Sequence, residues 1–468
     1  MAARFSDQEV LEATAARQLR AGASSGYERI STDTRTLSPS SLFVALQGER
    51  FDAHQFLAEA AAKGAAGAVV QRGKPLPQTP PSLALFEVKD TLAALGALAR
   101  FHRLRFQIPL AAVTGSNGKT TTKEMTHAIL SRRGRALKSE GNLNNEVGLP
   151  LTLLELDGSH VAAVVEMGMN RPGEIGRLTE IARPDAGLIT AVQPAHIKGL
   201  GNLEGIAAAK GELFRGLSSH ATAVVNLDDP HVVAQARQSK ARTLTFGRAE
   251  NAQVRLLRVT SLGRGGLAAV IRCSGTDFPV HLAYVGEHNA QNAAGAFALA
   301  YALGYAPQEC VEGLQAARPH AHRLSILDAP GGFSILDDTY NANPSSMAAA
   351  LRTLSALTKG GRAVAVLGDM LELGQDEARE HRSLGQLAAQ SAQLIAFFGP
   401  RSAEAHRAAA DLDGVVSSHF EQLEELLGWL RPRLSEGDVV LVKGSRGMKL
   451  ERVVDALRGE ASAGAIHA

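Results

Sequence analysis

The sequence predicts an α/β fold in three units built on parallel sheets, and three observations carry that expectation. From residue 110 onward, short apolar runs of the buried-strand type alternate with helical patterns, the grammar of a parallel sheet with crossover helices. The first of these runs passes directly into a glycine loop and then a helix, AAVTGSNGKTTTKEM. The chain has 468 residues, whereas a single core rarely grows past about 250–300. Unit boundaries are expected near 108 and 316, giving 1–108, 109–316 and 317–468.

Composition narrows the function classes. Lys+Arg is 49 and Asp+Glu 47, a net charge of +2, which offers no basic field for nucleic acid and no polybasic membrane patch. Hydrophobic residues are 45% and charged residues 21%, a globular balance. Two cysteines, Cys273 and Cys310, are neither a disulfide framework nor a C-x-x-C zinc motif. The segment MAARFSDQEVLEA lacks an apolar signal core, and no apolar run approaches the ~20 residues of a membrane span. The expectation is a soluble cytoplasmic protein.

In chain order, residues 41–46 (SLFVAL) read as a strand, 56–64 as a short amphipathic helix and 68–70 as a second strand. Residues 73–81 (GKPLPQTPP) are a loop by their prolines, and 91–105 a helix. Strands follow at 110–113, 161–165, 186–192 and 221–227. Residues 255–281 are hairpin-like and read as a small antiparallel flank, closed by a helix over 289–303. After a linker at 316–319, strands are expected at 333–336, 362–367, 394–398 and 439–443. The last ten residues, GEASAGAIHA, read as a frayed tail.

The sharpest signal is the glycine loop. Gly115 and Gly118 let the backbone turn its N–H groups inward, with Thr114, Ser116 and Asn117 completing the bend. Lys119 follows, and Thr120 and Thr121 open the helix. Successive amides, a helix N-terminus and an ammonium form an anion cradle, with the Thr120 hydroxyl placed to reach Mg²⁺. The loop is a short variant of G-x-x-x-x-G-K-[ST]: a glycine stands at 115, and position 113 is valine. No G-x-G-x-x-G follows a strand, so nicotinamide binding has no support.

Ligands in open α/β sheets sit beyond the carboxyl ends of the strands. Glu166 and His196 follow such ends, and Lys210 lies on the next helix. Glu166 suits Mg²⁺, which takes carboxylate oxygen; an unmodified lysine is no ligand. Taken singly, each also reads as an exposed or solvated polar residue.

TGSNGKTT, GNLNNEVGLPLTLL, VVEMGMN, AHIKGLG, AAAKGE, GEHNAQNAAGA, DDTYNANP, LGDMLELG and VKGSRGMK occur in that order. Together they resemble the Mur ligase family, ATP-dependent amide-forming enzymes of peptidoglycan precursor synthesis. EMGMN and DDTYNANP are most similar to its branch that adds D-alanyl-D-alanine to UDP-N-acetylmuramoyl-tripeptide. The resemblance runs from about residue 31 to 445. It implies a UDP-sugar domain, a central ATPase domain and a C-terminal Rossmann-like domain.

The resemblance also implies roles. Lys119 and Thr120 would hold the β/γ-phosphates and magnesium. Glu166, His196 and Lys210, the last as a carbamate, would bind two Mg²⁺ ions. Asn289 and Asn292 would face adenine, Arg323 would reach the phosphates, Asp337 or Asp338 would take the ribose, and Tyr340 and Asn341 would lie beside the base. Asn142, Asn144 and Asn145 match a segment near the reacting carboxylate, and equally fit plain turn chemistry. Asp33, Arg35, Gly48, Asp52 and His54 match UDP-binding segments, with Ala53 where the family usually has glycine. Lys443, Ser445 and Arg446 would meet the dipeptide carboxylate or the phosphates, or form a solvated basic turn. A monomer is expected.

The implied chemistry brings a carboxylate against the γ-phosphate of ATP to make an acyl phosphate, which an amine then attacks. Two anions repel, more so without water, so Lys119, Arg323 and the metal ions must neutralise them. A sister ligase adding the third peptide residue would carry a D-N-P-R-like segment, and none occurs. Folylpolyglutamate synthase lacks a separate first unit of about 100 residues. A nucleotide-gated binding module would need no acyl-acceptor domain.

Overall fold

The computed structural model describes residues 3–48, 51–193, 202–358, 360–410, 412 and 414–459. His196 and the tail from 460 lie outside the described residues.

The fold is α/β, as expected, with three main sheets. The central sheet has nine strands in the spatial order Ala136–Lys138, Ala162–Glu166, Leu110–Thr114, Ala186–Ile189, Thr222–Asn226, Arg242–Gly247, Val254–Ser261, Leu267–Cys273 and Thr276–Leu282. The first seven are parallel, and the last two join the seventh, Val254–Ser261, in an antiparallel flank. The chain leaves Leu110–Thr114 towards one edge, returns beside it at Ala162–Glu166, then crosses to its other side at Ala186–Ile189. That reversal opens a crevice at the carboxyl end of Leu110–Thr114, where ligands bind in open sheets. The register sets Glu166 opposite Val113 and Ile189 opposite Thr114, so three strand ends finish level.

All five residues of Leu110–Thr114 and of Ala162–Glu166 are buried, because helices cover both faces of the sheet. On one face the helix Lys119–Leu130 packs with His288–Ala302 and Pro307–Ala316, around Val113, Met125, Ile129, Ala293, Phe297 and Leu314. The alanines of HNAQNAAGAFALAYA permit the close approach. On the other face the core is continuous with the first unit: Leu42, Val69, Phe86 and Leu95 share one apolar cluster with Leu110, Val165 and Leu178. The helix Thr91–Arg103, capped by Asp90, lies between them, and a Cβ on Gly96 would stand 2.8 Å from Ile181 Cδ1.

The first unit carries five strands in the order Arg17–Arg20, Ala84–Val88, Gly67–Gln71, Ser41–Val44 and Arg29–Ser31. The third carries six, Ser325–Asp328, Ser334–Asp338, Val439–Lys443, Ala363–Gly368, Leu394–Phe398 and Val416–Phe420, parallel except for the first.

Differences from the sequence reading have physical causes. The strand expected to end at 192 stops at Ile189, since the following residues turn back to bond the glycine loop. Glu166 is the last residue of its strand, not the residue after it. Seven strands of these three sheets went unread: Arg17–Arg20, Arg29–Ser31, Ala84–Val88, Ala136–Lys138, Arg242–Gly247, Ser325–Asp328 and Val416–Phe420. Most are short, or half-polar like VSSHF, and are held by tertiary pairing that no local pattern announces.

A Cβ on Gly313 would lie 2.4 Å from Ile129 Cα and 2.8 Å from Ile129 N, so the two helices touch backbone to backbone. Gly313→Ala should destabilise the protein by about 1–3 kcal/mol through overpacking, read as a lower midpoint in chemical denaturation. An unchanged midpoint would mean that the helices part at no cost.

Candidate functional site

The glycine loop is shaped from the neighbouring strand end. Gly115 has φ +149° and Gly118 φ +78°, backbone that favours glycine. Thr190 fills the space beside Gly115, its Oγ1 only 1.8 Å from where a Cβ would stand. That hydroxyl donates to the carbonyl of Asn117 at 2.5 Å. Ser116 Oγ donates to Gln193 O (2.8 Å) and accepts from Gln193 N (2.9 Å), while Thr114 Oγ1 donates to Met167 O. Thr190 and Gln193 escaped the sequence reading, because nothing local marks a residue whose task is to brace a loop 73 or 77 positions away.

Gly118 begins the helix Lys119–Leu130 with no side-chain cap. The first-turn N–H groups of that helix are therefore left for an anion; Thr121 lies in this turn. Lys119 Nζ donates to Gly115 O at 2.9 Å. Burial pushes its pKa below the usual lysine value, and Arg323 adds to the effect against the opposing pull of Glu166.

Glu166 is 3% exposed. Its Oε2 accepts from Thr120 Oγ1 at 2.7 Å and its Oε1 from Asn144 Nδ2 at 2.9 Å. The loop after Ala136–Lys138 is thus drawn to the same carboxylate as the phosphate-loop helix. Asn145 performs turn chemistry, its Oδ1 accepting from the N–H groups of Val147 and Gly148. Asn142 is exposed, its carbonyl accepting from Asn144 N. Lys210, in the helix Leu203–Gly216, is 2% exposed. Burial drives its pKa well below the ordinary lysine value, and Lys119 lowers it further.

The third unit supplies the opposite wall. The Arg323 guanidinium lies 3.9 Å over the Tyr340 ring, and its Nε is buried without a hydrogen-bond partner. Asp337 accepts from Thr339 and pairs with His322. Asp338 pairs with Lys443 at 2.6 Å; burial raises its pKa against the lowering effect of that lysine. Both carboxylates have partners within the unit, so a ribose would have to share or displace them. Asn341 accepts from Lys443 Nζ (2.8 Å) through its carbonyl and from Arg446 N through Oδ1. Ser445 Oγ accepts from Leu371 N. The direct link to the glycine loop is Asn343, whose Nδ2 donates to Asn117 Oδ1 at 2.8 Å, while Asn117 Nδ2 donates to Ser345 Oγ at 2.9 Å. Asn343 and Ser345 were not singled out from the sequence.

Asn292 Oδ1 would stand 2.3 Å from a Cβ on Gly118. Asn292 is braced by Asn289, which bonds Val285 O in turn.

In the first unit, Arg35 and Asp33 form an ion pair joined by several hydrogen bonds, one of them from the Arg35 backbone N–H. Gly48 N donates to Phe51 O. His54 is buried with both ring nitrogens engaged: Nε2 accepts from Gln71 N, so Nδ1–H donates to Asp52. This pattern leaves His54 a supporting role behind Asp52. Lys74 Nζ also donates to Asp52 at 2.8 Å. Burial would raise the Asp52 pKa, yet the hydrogen bonds from Lys74 and His54 hold it well below the carboxylate range. Ala53 opens a short 3-10 turn and is not among the positive-φ residues, so glycine is not required there.

Residues 113–300 match the family model described as "Mur ligase middle domain", and residues 322–446 the one described as "Mur ligase, glutamate ligase domain". The chain is 37% identical over 430 residues, 92% of each chain, to UDP-N-acetylmuramoyl-tripeptide--D-alanyl-D-alanine ligase of Bacillus subtilis. It is similar to a crystal structure of MurF from Acinetobacter baumannii, with TM-score 0.90 and 33% identity, covering 98% of this chain and 100% of that one. It is also similar to MurF ligase from Thermotoga maritima in complex with ADP, with TM-score 0.82 and 29% identity, covering 92% and 97%.

Gly118→Ala would drive a methyl group into the Asn292 amide at a backbone angle that favours glycine. Nucleotide affinity should fall by at least about tenfold, roughly one unfavourable contact of 1.4 kcal/mol, measured by titration with a fluorescent nucleotide. Wild-type affinity in that variant would remove the loop from the binding site.

Proposed function

This chain belongs to the Mur ligase family, and from that premise we propose that it joins D-alanyl-D-alanine to UDP-N-acetylmuramoyl-tripeptide. It is an ATP-dependent, ADP-forming peptide ligase of peptidoglycan precursor synthesis. The observation that carries the reading is the likeness over nine-tenths of both chains to a ligase named for that reaction. Its substrates are small molecules. No described helix is long and apolar enough to cross a membrane. In this reading the protein works in the cytoplasm as a monomer.

The reaction needs a good leaving group on a carboxylate, which phosphorylation supplies. The tripeptide carboxylate attacks the γ-phosphate of ATP, giving an acyl phosphate and ADP. The dipeptide amine then displaces phosphate to form the amide. Each partner in the first step is an anion, so positive charge must be in place before they meet. Lys119 and Arg323 are proposed for that task. They are near enough to repel one another; Lys119 Nζ donates to the Gly115 carbonyl, and Arg323 Nε is buried without a hydrogen-bond partner. Lys119 would exchange the Gly115 carbonyl for phosphate oxygens. The uncapped helix N-terminus would take others.

Magnesium prefers oxygen and often takes one or two carboxylates together with substrate phosphates. The adjoining oxygens of Thr120 and Glu166 suit that donor set, and among the described residues no group of three His, Cys, Asp or Glu forms a closed metal cage. Thr120 and Glu166, with His196 and a carbamylated Lys210, would hold two ions that neutralise charge at the phosphate oxygens. The buried position of Lys210 and its lowered pKa support the carbamate, because a neutral amine adds to carbon dioxide, releasing a proton and leaving a carboxylate. Asn144, bonded to Glu166, is proposed to align the reacting acid. Asp33, Arg35, Gly48 and Asp52 are proposed at the UDP end, with His54 behind them. Asn289, Asn292, Asp337, Asp338, Tyr340 and Asn341 are proposed around the nucleoside. Lys443, Ser445 and Arg446 are proposed to meet the dipeptide carboxylate.

ADP release with UDP-N-acetylmuramoyl-tripeptide should require D-alanyl-D-alanine; turnover with a single amino acid but not the dipeptide would sink the assignment. Lys119→Ala should lower kcat by about 10²–10³, the scale for losing one preorganised donor, with UDP-substrate binding kept, and retained turnover would contradict its role. Lys210→Ala should lose activity and regain part of it with added short carboxylic acids. Full activity in that variant would refute the carbamate.

A further inference from the structure

Arg323 rides on a turn whose backbone is unusual on both sides. His322 has φ +64° and Leu324 φ +54°, the left-handed region that side chains larger than glycine rarely adopt, bulky ones least. Such conformations persist where surrounding contacts over-determine them, and they collect at clamps and switches. The contacts here converge on His322. Its Nδ1 lies 2.8 Å from Asp337 Oδ2 and 3.2 Å from Thr339 Oγ1. The side chain of Asp337 is 3% exposed and is held by Thr339 through both its N–H and its hydroxyl. The His322 carbonyl accepts from Tyr340 N at 3.2 Å, and it is the Tyr340 ring that carries the Arg323 guanidinium. Arg323 Nε makes no hydrogen bond. Its direction is set by the turn and by stacking.

We propose that His322 is a positioning residue for the ligation: its ion pair with buried Asp337 locks the turn that holds Arg323 on Tyr340, facing the phosphate loop. The proposal rests on the ligation reading above for its kinetic consequence. His322 is proton-linked. Asp337 faces it from the strand Ser334–Asp338, Glu451 from the helix Glu451–Arg458, and Arg446 from the turn Arg446–Met448. The hydrogen bond to Asp337 and the charges of Asp337 and Glu451 raise its pKa above the usual histidine value, against burial and Arg446. A group whose folded pKa is raised contributes most below its ordinary value of about 6.5 and loses that contribution as pH rises through the raised one. The lock is therefore tight in mild acid and slackens in alkali.

The test compares the full-length protein with H322N and H322G, both of which accept a left-handed backbone and neither of which can carry charge. At about pH 6.5 the KM for ATP should rise roughly tenfold in each variant, within the usual range of a coupling between two sites, with the KM for the UDP substrate unchanged. The difference from wild type should shrink as pH rises towards 9. Because binding linkage is reciprocal, ADP should raise the His322 pKa in the unmodified protein, read by NMR titration of its imidazole. This second measurement decides the matter even if a variant fails to fold. Equal KM for ATP and parallel pH profiles in wild type and H322N would overturn the proposal, as would a His322 pKa that ADP leaves unchanged or lowers. A wild type that ligates nothing would remove the ligation reading instead, and the ADP titration would still judge His322.

Discussion

Positive charges that are buried and repel one another are the constraint on which the rest of this structure depends. Lys119, Arg323 and Lys210 come from the first turn of the helix Lys119–Leu130, a turn in another unit and the buried face of the helix Leu203–Gly216. Burial and mutual repulsion push the lysine pKa values down. An arrangement this costly is stabilised when anions enter between the cations, which is the situation that two reacting anions create.

The sheet topology makes the convergence possible. One reversal of strand order puts the glycine loop, Glu166 and Thr190 at a common level, and the side chains there brace one another across strands. Thr190 supports the loop from one neighbour. Glu166 gathers Thr120 and Asn144 from the other side. The loop therefore owes its shape to partners far away in sequence, while its own glycines only permit that shape.

The units are coupled by different means. The first and second share a continuous apolar core across Thr91–Arg103, a connection that resists hinging. The second and third share an apolar contact at Val285 and polar contacts such as the Asn117–Asn343 amide pair, which can be exchanged for ligand groups at small cost. Closure over a nucleotide is thus expected at the second seam and not at the first.

Read by itself, the sequence determined the α/β class, the glycine loop with Lys119 and Thr120, and the family, because these depend on local periodicity and on short motifs whose chemistry is contained in adjacent residues. Glu166 and Lys210 were legible as candidates through their places at and after strand ends. Tertiary structure alone decided that His54 stands behind Asp52 and bonds Gln71 N, that Asn144 reaches Glu166, that Asp337 and Asp338 are already paired, and that Thr190, Gln193 and Asn343 bond to the glycine loop. Most of these are hydrogen bonds or ion pairs between residues brought together by sheet order and helix packing, and such partners leave no trace in either residue's own neighbourhood.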